Sequence, residues 1–327
     1  MHYLETHSVD PCYNLAFEEY ILKNRGEGDW LLLWQNANTV VVGRNQNAAE
    51  EINRDFVREH GISVVRRETG GGAVYHDLGN LNYSFITDLG TPGELSIGRF
   101  TAPVCRALES MGVHAQTTGR NDVTVDGRKV SGVAQRIYGG RVLHHGTLLF
   151  DSDPAMVSGA LNADPDKFAS KSSKSVRSRI GNIRQFLPRD MTLSEFWARL
   201  LAELAQGGIE REEPSEGELA EIRALADEKY RGYDWTYGRS PRFNYSSRRR
   251  FPGGTLSARL EVKDGVIASA GFFGDFMATL PNAPAEDALR GVRFTQEAVR
   301  AALEPLELAP MFGGITLDDI LGVLFAD

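Results

Sequence analysis

Two turn dipeptides, Asp126-Gly127 and Gly139-Gly140, constrain this chain more than any other feature. They join three strand-like segments and leave no room for a helix between them. Val123–Val125 and Lys129–Val133 flank the first turn, and Leu143–Phe150 follows the second. Turns of this kind join antiparallel neighbours. Further upstream, Trp30–Trp34 and Thr39–Val42 are apolar β-formers separated by Gln35-Asn36-Ala37-Asn38, and they read as another hairpin. Ile62–Val65, a segment beginning at Ala73, and Leu81–Ile86 add more strands. Asp10-Pro11 to Lys23 reads as an amphipathic helix with acids between its apolar residues, and Gly98–Met111 as a second helix. An order dominated by hairpins rather than repeated βαβ units disfavours a Rossmann fold.

Beyond Asp153 the pattern turns helical, over Pro154–Leu161, Thr192–Leu204 and Glu216–Tyr230. Between the first two lies a loop, Lys171–Arg179, with four cations and no acid. The acidic stretch Gly207–Gly217 reads as a solvated connection, and a domain boundary falls near Arg239–Arg250. After it come strands at Thr255–Val262 and Val266–Phe273 around the turn Lys263-Asp264-Gly265, then helices near Ala283–Leu289, Thr295–Leu303 and Leu317–Leu324. That is a small α+β domain.

Among 327 residues, 36 Lys and Arg stand against 44 Asp and Glu, a net charge of −8, which argues against a general nucleic-acid binder. Two cysteines, Cys12 and Cys105, build neither a disulfide scaffold nor a multi-cysteine zinc site. The beginning of the chain lacks the pattern of a secretory signal, and its apolar runs fall short of the ~20 residues that span a bilayer. A soluble, cytoplasmic protein with no membrane partner is expected.

The chemistry-bearing residues cluster. Gly70-Gly71-Gly72 can turn successive N–H groups inward as an anion-binding nest, or can be a plain flexible turn. No Walker loop is present. Arg66 and Arg67 before the glycines offer guanidinium forks, and Tyr75-His76-Asp77 follows. Lys129 sits among the small residues Ser131 and Gly132, which leave room for a ligand beside its ammonium. Asn121-Asp122 suits a metal, a nucleotide edge or an Asx-turn. His144 and His145, adjacent on a strand, point to opposite faces, so they do not form a two-histidine metal site, and zinc is a poor match. No G-x-S-x-G occurs, and neither cysteine lies in these motifs, so a Ser or Cys nucleophile is not supported.

Four ordered motifs carry a family resemblance: RRETGGGAVYHDLGN (66–80), GRNDVTVDGRKVSG (119–132), HHGTLL (144–149) and KSVRSRIGN (174–182). Together with NLAFEEYI, LLLWQNANTVVVGRNQN and the region from Ser246 to Met277, they resemble the lipoate-protein ligase A family in its full-length form. The resemblance implies an α+β fold: a large mixed-sheet catalytic domain of the biotin/lipoate ligase type over residues 1–243 and an accessory domain over 244–327. It implies a ligase that activates lipoate with ATP to lipoyl-adenylate. The lipoyl group then passes to a lysine of an acceptor lipoyl domain, such as a 2-oxoacid dehydrogenase E2 subunit or the glycine cleavage H protein. It places ATP on Arg67, Gly72, Ala73, Val74, Tyr75, Asn121, Asp122 and Lys129, with Mg²⁺ on the phosphates and Asp122 as its candidate ligand. Lys129 would be the catalytic residue and would also touch lipoate, with Arg66, His76 and His145 bordering the acyl group. Octanoate is an alternative acyl substrate, and the cations at Lys171–Arg179 and Arg248-Arg249-Arg250 would steer acidic acceptors. A transferase acting without ATP through an acyl-cysteine lacks a cysteine in the matched motifs, and no GRGRxGRxW segment favours a biotin ligase. A non-catalytic binder of lipoate or nucleotide is the alternative from another class.

Overall fold

The computed structural model describes residues 1–90, 97–118, 121–162, 180–237 and 243–325. Lys171–Arg179 and Gly119-Arg120 therefore lie outside the described residues. The chain folds as two compact units: residues 1–41, 52–65 and 74–232 form the first, and residues 42–51, 66–73 and 233–327 the second.

The first unit is built on an eight-stranded mixed sheet. Its strands are β1 (His2–Glu5), β2 (Trp30–Trp34), β6 (Asn80–Asp88), β7 (Gln116–Thr118), β8 (Asp122–Val125), β9 (Arg128–Tyr138), β10 (Arg141–Leu149) and β11 (Glu210–Arg211). They lie in the order β11-β1-β2-β6-β10-β9-β8-β7, and β1 runs parallel to both neighbours. A smaller sheet has the order β4-β3-β5, from β3 (Thr39–Val42), β4 (Ser63–Arg66) and β5 (Val74–His76). Both expected hairpins around β9 are present, with Asp126, Gly127, Gly139 and Gly140 all at positive φ, as a turn matching the sheet's twist requires.

Helix α1 (Pro11–Asn24) covers one face of the large sheet, and α2 (Ile97–Ser110) with α3 (Leu193–Leu204) covers the other. The Asp10 carboxylate accepts the Cys12 N–H at the start of α1, and Thr192 with Glu195 forms a capping box on α3. Tyr83, Phe85, Phe100, Val104, Val130, Phe150, Phe196 and Leu200 belong to one continuous core.

Two expectations are corrected here. β2 and β3 are not a hairpin: β2 lies between β1 and β6, while β3 pairs with β5 in the other sheet. The four residues between them serve as an anchor, because Asn14 Nδ2 donates to Gln35 O and Asn36 Oδ1 while Ala37 N–H donates to Val9 O. Helix α1 is not amphipathic either, being buried nearly all round. Glu18 and Glu19 are both buried and paired, Glu19 with Lys23, Lys229 and Tyr230. Burial alone would raise the Glu19 carboxyl, yet these partners hold it below the usual carboxylate range.

The second unit centres on an antiparallel sheet of β12 (Tyr245–Phe251), β13 (Gly254–Lys263) and β14 (Val266–Gly274). Helices Ala283–Ala288, Gln296–Leu303, Leu308–Phe312 and Leu317–Leu324 pack on it through Leu256, Phe272, Phe276, Val299, Phe312 and Leu321. Strand β12 and helix Leu308–Phe312 add to the two strands and three helices expected. The unit begins at Tyr233 rather than at residue 244, and it takes in two excursions of the earlier chain, residues 42–51 and 66–73. Inside the unit Gly71 N–H donates to Phe276 O and Gly274 N–H to Asn45 O, so the glycine segment folds against the chain after β14. No helix among the described residues is long and apolar enough to cross a membrane.

Candidate active site

In the first unit the strand register builds a polar floor beneath α1. Residues opposite one another on paired strands share a face, so Ala134 (β9), His145 (β10) and Ser84 (β6) form one row. Glu18 descends on that row from α1. Its carboxylate lies 2.8 and 3.0 Å from His145 Nδ1 and accepts the Ser84 hydroxyl at 2.6 Å; Ser84 in turn accepts the Trp34 indole N–H at 2.9 Å. The row beside it holds Thr147 and Asn82, with Trp34 beyond. Gly132 N–H donates to Thr147 Oγ1 at 3.1 Å.

Lys129 reaches over this floor at Gly132. A Cβ on Gly132 would stand 3.0 Å from Lys129 Nζ, so the bare glycine makes the space that the ammonium occupies. The ammonium is paired with Asp122 at 2.7 Å, and both side chains are about one-third exposed. Two backbone links hold the neighbourhood: Gly181 N–H donates to Lys129 O, and Val133 N–H to Asn121 O. Asn121 Nδ2 also donates to Val133 O, so this side chain braces the β8–β9 pair. His76 is buried on β5 with Asn36 Nδ2 3.1 Å from its Nδ1, and its ring meets Trp34 edge-on at 6.4 Å. The Tyr75 phenol is buried too and donates to Asn38 Oδ1. Burial, aided by Asp77 and Asp153, pushes it up to about 12, so it stays neutral.

His144, as alternation requires, points to the opposite face. It stacks on Phe100 at 4.7 Å within the core, with Gln135 Nε2 3.2 Å from its Nδ1. Burial, reinforced by the neighbouring His145, pushes its imidazole down to about 3.

In the second unit two arginines organise the glycine segment. Arg66 is 1% exposed, and its guanidinium donates to five carbonyls: Gly43, Arg44, Gln46, Trp235 and Thr236. So committed, it is a brace for the loops rather than the acyl-bordering side chain expected of it. Arg67 donates to Thr69 Oγ1 at 2.9 Å and to the carbonyls of Gly70 and Gly72 at 2.6 and 2.8 Å. A trans peptide sets its N–H opposite its C=O. The Gly72 carbonyl turned toward Arg67 therefore aims the Ala73 N–H the other way. The middle amide of the triplet is not part of an open nest, because Gly71 N–H is spent on Phe276 O. Gly71 holds φ +88°, a conformation open to glycine.

Glu18, Trp34, Asn36 and Thr147 lie within segments that carry the family resemblance, but no role is read for them from the sequence.

Comparison with known proteins finds relatives along the whole chain. Residues 10–205 match the lipoyl protein ligase A/B catalytic domain, and residues 240–324 match the C-terminus of bacterial lipoate protein ligases. The chain is 43% identical to lipoate-protein ligase LplJ of Bacillus subtilis, over 97% of each chain, and 39% identical to lipoate–protein ligase 1 of Staphylococcus aureus, again over 97% of each. Among solved structures, LipL1 of P. falciparum in complex with lipoate shares the fold, with a TM-score of 0.79 over 94% of each chain at 24% identity. A bipartite lipoate protein ligase of Thermoplasma acidophilum, solved with its E2 lipoyl domain, is 30% identical, with a TM-score of 0.64 over 75% of this chain and 98% of its own. A lipoate-protein ligase A bound with ATP gives the same TM-score at 26% identity, over 72% of this chain and 98% of its own. On these grounds, the chain belongs to the lipoyl protein ligase A/B family.

Proposed function

We propose that this protein is a lipoate–protein ligase that uses ATP, and that Lys129 is its catalytic residue. The observation that carries the reading is Lys129 itself: an ammonium held by Asp122 above a bare glycine, at the edge of a floor of small and polar side chains. In the first step a lipoate oxygen attacks the α-phosphorus of ATP, forming the acyl–phosphate bond as the bond to diphosphate breaks. Two anions must meet there, and a fixed cation beside the α-phosphate offsets their repulsion and the charge gained in the transition state. Lys129 supplies that cation and reaches the lipoate carboxylate as well. The Ala73 N–H and the backbone of Gly72, Val74 and Tyr75 serve the phosphates and nucleotide, Arg67 holds the loop that presents them, and Asn121 and Asp122 stand on the nucleotide side. Asp122, the carboxylate nearest Lys129, suits Mg²⁺, which when bound shields the β- and γ-phosphates. In the second step an acceptor lysine attacks the acyl carbonyl and AMP leaves.

His145 and His76 flank the acyl chain. Lipoate is the substrate of this reading, octanoate its alternative, and lipoyl-domain proteins such as E2 subunits and the H protein are the acceptors. The cations Arg248–Arg250, exposed on β12, support steering of acidic acceptors. An acyl-cysteine transferase is disfavoured because both thiols are poor nucleophiles: burial raises Cys12 to about 11 and also raises Cys105. Two free cysteines accord with a cytoplasmic place.

The decisive assay is intact mass of a purified lipoyl domain incubated with lipoate, with and without ATP, beside Lys129→Ala. ATP-dependent lipoylation that the variant loses supports the reading. Lipoylation only from preformed lipoyl-adenylate overturns activation, and none at all makes the protein a binder.

A further inference from the structure

We infer that His2, Glu210 and Glu212 form a surface site for a divalent cation, with Zn²⁺ as the best match. One ligand atom from each lies within 4.8 Å of the other two. They come from opposite ends of the first unit's sequence, so no spacing motif announces them. The parallel pairing of β1 with β11 creates the cluster. His2 stands opposite Glu210, and Glu212 N–H donates to Tyr3 O, so positions two apart on one strand share the face of His2.

Preorganisation separates this cluster from scattered surface acids. The His2 ring stacks on Trp30 at 4.5 Å with 24° between planes, and beside it Gly28, at φ +77°, leaves no room for a side chain: a Cβ there would stand 3.2 Å from His2 Cδ2 and Nε2. That fixes the imidazole with Nε2 against the glycine and Nδ1 toward the carboxylates. Nδ1 pairs with Glu212 Oε1 and lies 3.8 Å from Glu210 Oε2. Arg25 holds the other Glu212 oxygen at 3.4 Å and is itself tied to Glu218 at 2.9 Å and set over the Trp30 ring. A metal-ligating carboxylate oriented by an outer-shell partner is the arrangement expected at such sites. An imidazole with two carboxylates suits Zn²⁺ better than Mg²⁺ or Ca²⁺, which take oxygen donors. Three protein donors leave the fourth position to water.

The consequence is structural. β11 has only two residues, too few to hold an edge alone, and the ion would clamp it to β1. Lys129 stands on β9, four strand spacings from β1, about 19 Å at ~4.8 Å each, so the site is separate from the ligase chemistry.

Tag-free protein stripped with EDTA and dialysed, then titrated with ZnCl2 by calorimetry and followed by thermal unfolding, tests this. One Zn²⁺ binds per chain in the micromolar range and raises Tm. His2→Ala and Glu212→Gln each weaken binding about tenfold or more and lose the Tm shift, while His7→Ala keeps both. Glu210→Gln, at a side chain three-quarters exposed, repeats the loss without a packing change. No binding tighter than millimolar, binding unchanged in His2→Ala and Glu210→Gln, or loss in His7→Ala instead would each overturn the site.

Discussion

Neighbouring residues of one type can have opposite fates, and His144 and His145 are the clearest case. His145 is set against the Glu18 carboxylate on the floor, whereas His144 is walled into the core against Phe100. Because the folded protein holds His144 neutral down to about pH 3 while the unfolded chain protonates it near 6.5, the stability it contributes is fully present above 6.5 and is lost as pH falls through the window between. Urea unfolding of the wild type should lose about 2 kcal/mol more between pH 7 and pH 5 than unfolding of His144→Gln. Equal losses would show that the imidazole does not titrate across unfolding. If Asp122 stands on the nucleotide side, as proposed, Asp122→Asn should raise KM for ATP several-fold in lipoate-dependent pyrophosphate exchange while leaving Tm near that of the wild type, because the ion pair is part-exposed and contributes little to folding. A Tm loss matching the activity loss would make Asp122 structural.

Among elements, the loop Gly43–Asn47 is tightly coupled to the glycine segment. A Cβ on Gly43 would come 2.0 Å from the Gly71 carbonyl oxygen, which is backbone and must move as a whole. Gly43→Ala should cost about 1–3 kcal/mol in urea unfolding and raise KM for ATP; unchanged KM would mean that the glycine segment does not serve the nucleotide. Elements were legible in the sequence where the chemistry is local. Asp126-Gly127 and Gly139-Gly140 state a positive φ that only a tight turn needs, and Thr192 with Glu195 announces a helix start. The β2–β3 error was non-local in origin: Gln35–Asn38 is rich in turn residues, but Trp30–Trp34 is buried at every position, the mark of a strand covered on both faces rather than of a hairpin arm. β11 is too short to show a pattern, and β12 was hidden behind three arginines that resemble a linker. Of the candidate site, the backbone donors and Lys129 stood in motifs. The commitment of Arg66 to five carbonyls, and of Glu18 to His145, depends on residues up to 170 positions away and could not be read from spacing.

At the scale of the whole molecule, a net charge of −8 coexists with exposed cations on β12. If Arg248 and Arg250 steer acidic acceptors, reversing both to Glu should lower kcat/KM for a lipoyl domain about tenfold at low ionic strength, with the gap closing toward 0.5 M salt, where screening is shorter than ~5 Å. Pyrophosphate exchange, which needs no acceptor, should not change. A salt-independent loss would place the arginines in stability instead. The division of the chain also bears on its synthesis. Residues 66–73 emerge from the ribosome early, yet the carbonyl that takes the Gly71 N–H belongs to Phe276, roughly 200 residues later. At ~5–20 residues per second the segment waits about 10–40 s for its partner. A stop codon between residues 243 and 276 would leave a chain with every catalytic-domain motif translated and its Gly71 N–H without the Phe276 carbonyl, so the last quarter of the message governs whether the first quarter is usable.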